Sequence, residues 1–150
     1  MYSEDFNGCD LPTDWGVNLA GFSEAEYFVG IPQNPNSDGS TIDGTCMLII
    51  DDDATGDQTP PWNLKLNTPN FDGTGFSTIE LSVDVHFRNY EGASSFRIHA
   101  WDGSEYNELA IWQDWVGNTG SQFSEFVTFT ADLSFYANPE MHVMFEYDDG

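Results

Sequence analysis

The sequence predicts an all-β fold, an antiparallel β-sandwich of the jelly-roll type. Three observations lead to it: apolar and polar residues alternate over several short segments, turns rich in Gly, Pro, Asn and Asp separate these segments, and no stretch carries a long helical stripe. The clearest alternation runs over residues 79–87, where every second residue is apolar. Such a segment places one face of a strand on a core and the other face in water.

The same period of two recurs along the chain. It is present in residues 62–66, 96–100 and 141–147, and the short apolar run 109–112 suits a central strand. The intervening turns, such as TPNFDGTG and WDGSEYN, have the composition of tight connections. A chain of 150 residues without an evident linker is expected to form one domain, residues 1–150, which we expect to belong to a larger protein.

The charge balance excludes two classes of partner. The chain has 26 acidic residues and only three Lys or Arg, so its formal net charge is -23. Nucleic acids and anionic lipids require basic side chains, so neither is an expected partner. Because no apolar run reaches the ~18 residues of a membrane span, direct membrane insertion is not expected either. The 12 Phe, 6 Tyr and 5 Trp residues supply the buried surface that a folded domain needs.

An acidic loop directly follows the apolar run MLII. Asp51, Asp53, Thr55 and Gly56 match the first half of a D-x-D-x-[DNST]-G calcium loop, and Asp57 follows. The twelfth position of that pattern is a tryptophan, which cannot ligate calcium, so the remaining oxygen ligands have to come from other segments. The predicted calcium ligands are therefore Glu4, Asp5, Asp51, Asp53, Asp57, Asp148 and Asp149. A plain solvated loop is the alternative interpretation.

Cys9 and Cys46 are the only cysteines. They form either a disulfide or two buried thiols, and an extracellular location favours the disulfide. On the chain-entropy model a bridge between them would contribute about 4 kcal/mol to stability.

Aromatic residues concentrate in the segment WDGSEYNELAIWQDW. Exposed rings beside Asp, Asn and Gln side chains are suited to stacking on sugar faces. The predicted ligand-binding residues are Trp101, Tyr106, Trp112 and Trp115. The alternative is that Trp112 and at least one other ring of this set fill the core.

Several patches together resemble a known group of domains. EDFNGCDLPTDWGV, MLIIDDDA, LNTPNFDGTGFSTIELSVDVHFRNYEG, FRIHAWDGSEYNELAIWQDW, FTADLSFYAN and MHVMFEYDDG follow the order found in β-sandwich domains related to MAM domains and to the cleaved-adhesin domains of bacterial surface proteases. The resemblance implies a jelly-roll module of secreted multidomain proteins, chiefly of Bacteroidetes type, that commonly carries structural calcium. That group continues after YDDGG into a final strand, whereas this sequence stops at Gly150. The last strand is then expected to be missing or to come from a partner.

Catalysis is not expected. His86, His99 and His142 each fall on the polar face of a predicted strand, and no third ligand in register completes a zinc site. No nucleophile elbow of the G-x-S-x-G kind is present. Polysaccharide cleavage by a pair of carboxylates stays open as an enzymatic alternative, because 26 acidic residues supply many pairs.

The sequence thus predicts a non-enzymatic, calcium-stabilised module at the cell surface or outside the cell. It would bind a glycan or a protein ligand and would contact neighbouring domains or further copies of its own chain. The alternative function is a structural subunit of a surface filament or layer, assembled by strand exchange, since an unpaired sheet edge accepts a strand from another chain.

Overall fold

The computed structural model describes residues 2–20, 27–30, 46–50, 63–87, 94–114, 116 and 126–150. Within these ranges the chain forms strands paired in antiparallel fashion and one short 3-10 helix, Ser134–Tyr136. No helix in the described part of the chain could cross a membrane. The strands are β1 (Gly16–Ala20), β2 (Tyr27–Gly30), β3 (Met47–Ile50), β4 (Asn63–Asn67), β5 (Glu80–Val85), β6 (Ser95–Trp101), β7 (Tyr106–Trp112), β8 (Val127–Asp132) and β9 (Val143–Asp148). The predicted all-β class is confirmed.

The largest sheet has five strands in the order β1-β4-β9-β6-β7. Strand β9 lies at its centre and pairs with β4 on one side and with β6 on the other. Two smaller ribbons, β2-β3 and β5-β8, complete the described strands. Every second residue of β4 and β6 is apolar, and among these Leu64, Leu66, Ile98 and Ala100 are fully buried.

Both ribbons pack on the same face of the five-stranded sheet. Leu48 and Ile50 of β3 contact one buried cluster, and β5 and β8 contribute to a second. The two ribbons and the five-stranded sheet thus enclose a layer of apolar side chains, as in a β-sandwich. The first cluster consists of Leu64, Leu66, Phe87 and Tyr147, and the second of Val85, Ile98, Ala100, Leu133, Met141 and Val143. The opposite face of the five-stranded sheet, here called the outer face, carries the polar residues of the alternating strands.

A β-bulge interrupts the pairing of β6 with β7. His99 pairs with Glu108, but the preceding residue Ile98 pairs with Ala110, so Leu109 is an additional residue on β7. A bulge reverses the side to which the following residues point. Consequently Tyr106 and Glu108, before the bulge, lie on the outer face, whereas Ala110 and Trp112, after it, lie on the core face.

The N-terminal segment is joined to β3 by a disulfide between Cys9 and Cys46, whose Cα atoms are 5.3 Å apart. A turn before the disulfide places Phe6 at a φ of 52°, a conformation that is uncommon for an aromatic residue. Two carboxylates stabilise this turn. Glu4 Oε1 accepts a hydrogen bond from the Phe6 amide at 2.7 Å, and Asp5 Oδ1 accepts one from the Asn7 amide at 3.0 Å.

Candidate functional site

Aromatic and polar side chains gather at one end of the five-stranded sheet. Asn67 ends β4, Trp101 ends β6, Tyr106 begins β7 and His142 directly precedes β9. Because neighbouring strands are antiparallel, these positions lie at the same end of the sheet. An open cavity of about 620 Å³ is lined there by Asn67, Tyr106, His142 and Asp14 among others. We call this group, with Trp101 beside it, the aromatic cleft.

The three rings of the aromatic cleft contact one another. Trp101 stacks on His142 with ring centres 5.8 Å apart and an angle of 21° between the planes. Tyr106 lies 5.0 Å from Trp101 and meets His142 edge-on at 5.5 Å. Tyr106 is 38 % exposed, so part of this aromatic surface faces solvent.

Hydrogen bonds determine which polar atoms of the cleft donate and which accept. His142 Nδ1 lies 2.9 Å from the Glu140 carbonyl, which only accepts, so this nitrogen carries a hydrogen. In a neutral imidazole Nε2 is then an acceptor, and the Tyr106 hydroxyl, at 2.8 Å, donates to it. Burial raises the pKa of Tyr106, although its hydrogen bond to Asn67 and the charge of Lys65 act in the opposite direction. The hydroxyl is therefore protonated at neutral pH.

The turn between β6 and β7 holds the two aromatic residues of its ends in place. Asp102 Oδ1 accepts the Glu105 amide at 2.9 Å and both the amide and the hydroxyl of Ser104 at 2.8 Å, while Oδ2 accepts from Asn107 Nδ2 at 2.9 Å. These bonds, the one from the Glu105 amide foremost, hold the pKa of Asp102 well below its usual range. Gly103 supplies the left-handed backbone, with a φ of 99°.

A buried asparagine connects this turn to the other loops at the same end. Asn138 Nδ2 donates to the carbonyls of Trp101 and Tyr136, both at 2.9 Å, and its Oδ1 accepts the Glu140 amide at 2.8 Å. Its own carbonyl accepts the Gly73 amide at 2.9 Å. Asn138 is 8 % exposed. The loops that carry the cleft are thus fixed to one another before any ligand binds.

Glu146 occupies the middle of the outer face and collects three donors. Its Oε1 lies 2.9 Å from Asn63 Nδ2 and 3.1 Å from Lys65 Nζ, and its Oε2 lies 2.9 Å from His99 Nε2. Burial alone would raise the pKa of Glu146, but the hydrogen bonds from Asn63, Lys65 and His99 and the Lys65 charge together hold it below the usual value. The carboxylate is therefore ionised at neutral pH.

Arg97 also lies on the outer face and is shared between two carboxylates. Its Nε is 3.6 Å from Glu108 Oε2, and its Nη1 is 3.5 Å from Asp148 Oδ2. Lys65 and Arg97 are the Lys and Arg residues within the described ranges. Each of them has a carboxylate partner.

Two of the predicted ligand-binding residues, Trp101 and Tyr106, meet in the aromatic cleft. Trp112 does not join them: its ring packs on Phe96 at 5.7 Å and on Phe129 at 5.4 Å, and it contacts both buried clusters. This placement favours the alternative interpretation, in which Trp112 fills the core, since the bulge turns the end of β7 toward the core. The ligand-binding role of Trp112 stays a prediction. Trp115 lies outside the described residues.

Only some of the predicted calcium ligands lie within the described residues. Asp51, Asp53 and Asp57 lie outside the described residues. Asp148 Oδ1 accepts the Gly150 amide at 3.1 Å, and Asp149 Oδ1 accepts the Ser94 hydroxyl at 3.2 Å. Within the described ranges no three His, Cys, Asp or Glu residues form a group that could hold a metal ion. The calcium site stays a prediction.

Sequence reasoning did not identify Asp14, Asn67 or His142 as part of a binding site. The sequence predicts His142 only on the polar face of a strand, and the patches that contain Asp14 and Asn67 carry no binding motif. The one available signal was the turn chemistry of WDGSEYN, which brings Trp101 and Tyr106 together but does not name their neighbours.

Comparison with known proteins yields a similarity of fold. No protein family model matches the sequence, and no curated protein matches it. Among solved structures, the chain is similar to the K1 cleaved adhesin domain of Lys-gingipain from Porphyromonas gingivalis W83, with a TM-score of 0.64 and 15 % sequence identity. The match covers 97 % of this chain and 91 % of that one. The β-sandwich fold and its likeness to a cleaved adhesin domain are thereby confirmed, whereas the predicted relation to MAM domains stays a prediction.

Proposed function

We propose that this domain is a non-enzymatic adhesion module of a cell-surface or extracellular protein, and that it binds its ligand in the aromatic cleft. The observation that carries the proposal is the set of rings of Trp101, Tyr106 and His142, which contact one another and are held by hydrogen-bonded loops. The fold shared with a domain described as an adhesin supports it.

The chemistry of the cleft suits a saccharide. Ring faces can cover the apolar C–H face of a sugar, while a few polar groups fix its orientation. Asn67, Asp14 and the Tyr106 hydroxyl are such groups beside the rings. Because the loops are linked through Asn138, little order has to be gained on binding, which favours affinity.

Calcium is the second part of the proposal. Ile50, which directly precedes Asp51, packs on the same buried cluster as Tyr147, which directly precedes Asp148, and Leu11 of the N-terminal segment packs there too. This shared cluster supports a site in which Asp51, Asp53 and Asp57 combine with Glu4 or Asp5 and with Asp148 or Asp149. A cation there would offset the repulsion between the carboxylates and stiffen the domain.

A glycan array tests the ligand. We expect the domain to bind a subset of the printed saccharides and the Trp101→Ala variant to lose about tenfold or more in affinity for them, because the stacking surface is removed. Phe135→Ala is the matched control, since Phe135 is an aromatic residue that is 89 % exposed and lies outside the cleft. Equal binding by the Trp101→Ala variant and the parent would count against the cleft.

Thermal unfolding with calcium and with a chelator tests the metal. Calcium that binds only the folded state has to raise the melting temperature, and the rise has to grow with calcium concentration. A melting temperature that is the same under both conditions would end the calcium proposal and leave the saccharide proposal intact.

A further inference from the structure

We propose that the ligand of the aromatic cleft is an uncharged saccharide whose hydroxyl groups donate hydrogen bonds into the cleft, and that saccharides bearing carboxylate or sulfate groups are excluded. This inference rests on the proposed function, which requires only that some saccharide binds. It is carried by the pairing of the basic residues and by the direction of the hydrogen bonds at Tyr106.

The first step concerns the positive charges of the outer face. Lys65 is held by Glu146 at 3.1 Å, and Arg97 is held by Glu108 and Asp148 at 3.6 and 3.5 Å. Recognition of a carboxylate or sulfate relies on Arg or Lys donors. In the described part of the chain, both such residues are already engaged with carboxylates of the protein itself.

The second step concerns negative charge. Asp14 lines the cavity, and the whole chain carries a formal net charge of -23. An anionic ligand would enter against this field, which lowers both its local concentration and its association rate. A neutral ligand meets no such barrier.

The third step concerns which atoms the cleft offers. The Tyr106 hydroxyl has a single hydrogen, and the contact with His142 Nε2 at 2.8 Å is shorter than that with Asn67 Oδ1 at 3.4 Å. The hydrogen therefore points to His142, and the lone pairs of the Tyr106 oxygen are available as acceptors. The Asp14 carboxylate also only accepts. A ligand rich in hydroxyl donors complements these atoms.

The shape of the aromatic group distinguishes a neutral sugar from a cation. Trp101 and His142 stack within 21° of parallel, and Tyr106 meets His142 edge-on. The rings thus cover one another's faces and form a platform. A cage for an ammonium group would instead need ring faces arranged around an empty centre.

The test uses matched saccharides printed on one array: lactose, its sialylated and its 6-sulfated forms, and chitotetraose with and without its N-acetyl groups. The domain is applied at low salt and at about 0.5 M salt, at which charge repulsion is screened beyond about 4 Å. For at least one of the two families, lactose or chitotetraose, we expect the neutral member to bind about tenfold more tightly than each of its charged forms at low salt. We also expect the ratio of the affinity for the neutral form to the affinity for the anionic forms to fall at high salt.

Two variants connect the result to the cleft. Tyr106→Phe removes only the hydroxyl group and should weaken neutral binding about 2- to 10-fold. Asp14→Asn removes one negative charge and should raise the relative binding of the sialylated and sulfated forms. Phe135→Ala should change neither the affinity for the neutral saccharide nor the relative binding of the anionic forms. Melting curves show whether each variant is folded.

The outcomes separate the two proposals. Binding of anionic forms as tightly as their neutral parents, with loss of all binding in Trp101→Ala, would overturn the exclusion of acidic saccharides and keep the proposed function. Tighter binding of deacetylated chitotetraose would overturn the inference in favour of a cationic ligand. Absence of binding both to these saccharides and to the wider glycan array described above would overturn the proposed function and this inference together.

Discussion

The two ends of the five-stranded sheet differ in how their polar groups are satisfied. At the cleft end, hydrogen bonds within the protein fix the turn at Asp102, the Asn138 side chain and the Tyr106–His142 pair. At the opposite end, Asp148 and Asp149 are adjacent carboxylates. Arg97, 3.5 Å from Asp148, is the one basic residue recorded beside them in the described ranges.

The two ends of the sheet therefore differ in how their polar groups are stabilised. The six residues of β9 separate them by about 20 Å. The cleft end is ordered by its own contacts. Among the described residues of the carboxylate end, Asp148 and Asp149 are two carboxylates and Arg97 is one cation, so a bound calcium ion would contribute more there than at the cleft. Four substitutions test whether the two ends differ in this way.

The largest effect is expected from the disulfide. Replacing Cys9 and Cys46 together by Ser should lower the free energy of unfolding by about 4 kcal/mol, because the disulfide closes a loop of 37 residues. Urea unfolding measures the loss. Saccharide affinity of the folded fraction should stay unchanged, since neither cysteine lies in the cleft. A loss below about 1 kcal/mol would contradict the entropic estimate.

The next effect concerns the carboxylate end. The double variant Asp148→Asn, Asp149→Asn should lose the stabilisation by calcium, which in the parent amounts to about 2.7 kcal/mol at a calcium concentration 100 times its dissociation constant. Melting curves at several calcium concentrations give the result. Asp72→Asn, in a loop at the cleft end, should keep the full response. An equal response in all three proteins would place any calcium site elsewhere.

A smaller effect is expected at Glu146, between the two ends. Its pKa is lower in the folded chain than the ordinary 4.5, so ionised Glu146 stabilises the folded state above that pH, and the stabilisation is lost as the pH falls through the folded-state value. Replacement by Gln should cost roughly 1–3 kcal/mol at neutral pH, and the difference from the parent should shrink as the pH falls below 4.5. Urea unfolding across this range measures it. A difference that does not change with pH would contradict this role.

The smallest effect is expected from the exposed turn of the cleft. Asp102→Ala removes the acceptor of four hydrogen bonds and should loosen Trp101 and Tyr106, which reduces saccharide affinity a few-fold with little change in melting temperature. Near-ultraviolet circular dichroism reports on the order of the rings. Asp132→Ala removes a similar turn contact, to Ser134, away from the cleft and should leave affinity unchanged. Equal losses in both variants would mean that the effect is not specific to the cleft.

The strands could be predicted because their signal is local. Alternation over residues 79–87 and 141–147 led to β5 and β9, which the structure bounds at Glu80–Val85 and Val143–Asp148. The tight connection WDGSEYN was also a local prediction, and in the structure Trp101 pairs with Tyr106 across it. Short-range periodicity and turn chemistry thus account for most of the fold.

The composition of the cleft could not be predicted in the same way. Asn67 and His142 reach it through the pairing of β4 with β9 and of β9 with β6, which joins residues more than 40 positions apart. The side to which Trp112 points could not be predicted for another reason. Uninterrupted alternation from Tyr106 would put it on the outer face, and the additional residue Leu109 reverses this. Neither the register of these strands nor the bulge in β7 can be recognised from the local sequence pattern.

The central position of β9 also has a consequence for folding. Strands β1 and β4 can pair without it, and β6 and β7 can close as a hairpin, but these two halves share no strand partner except β9. During synthesis β9 leaves the ribosome after all the other strands described. The halves therefore join only in a late, long-range step, which makes folding slow and leaves the inner edges of β4 and β6 open until that step is complete.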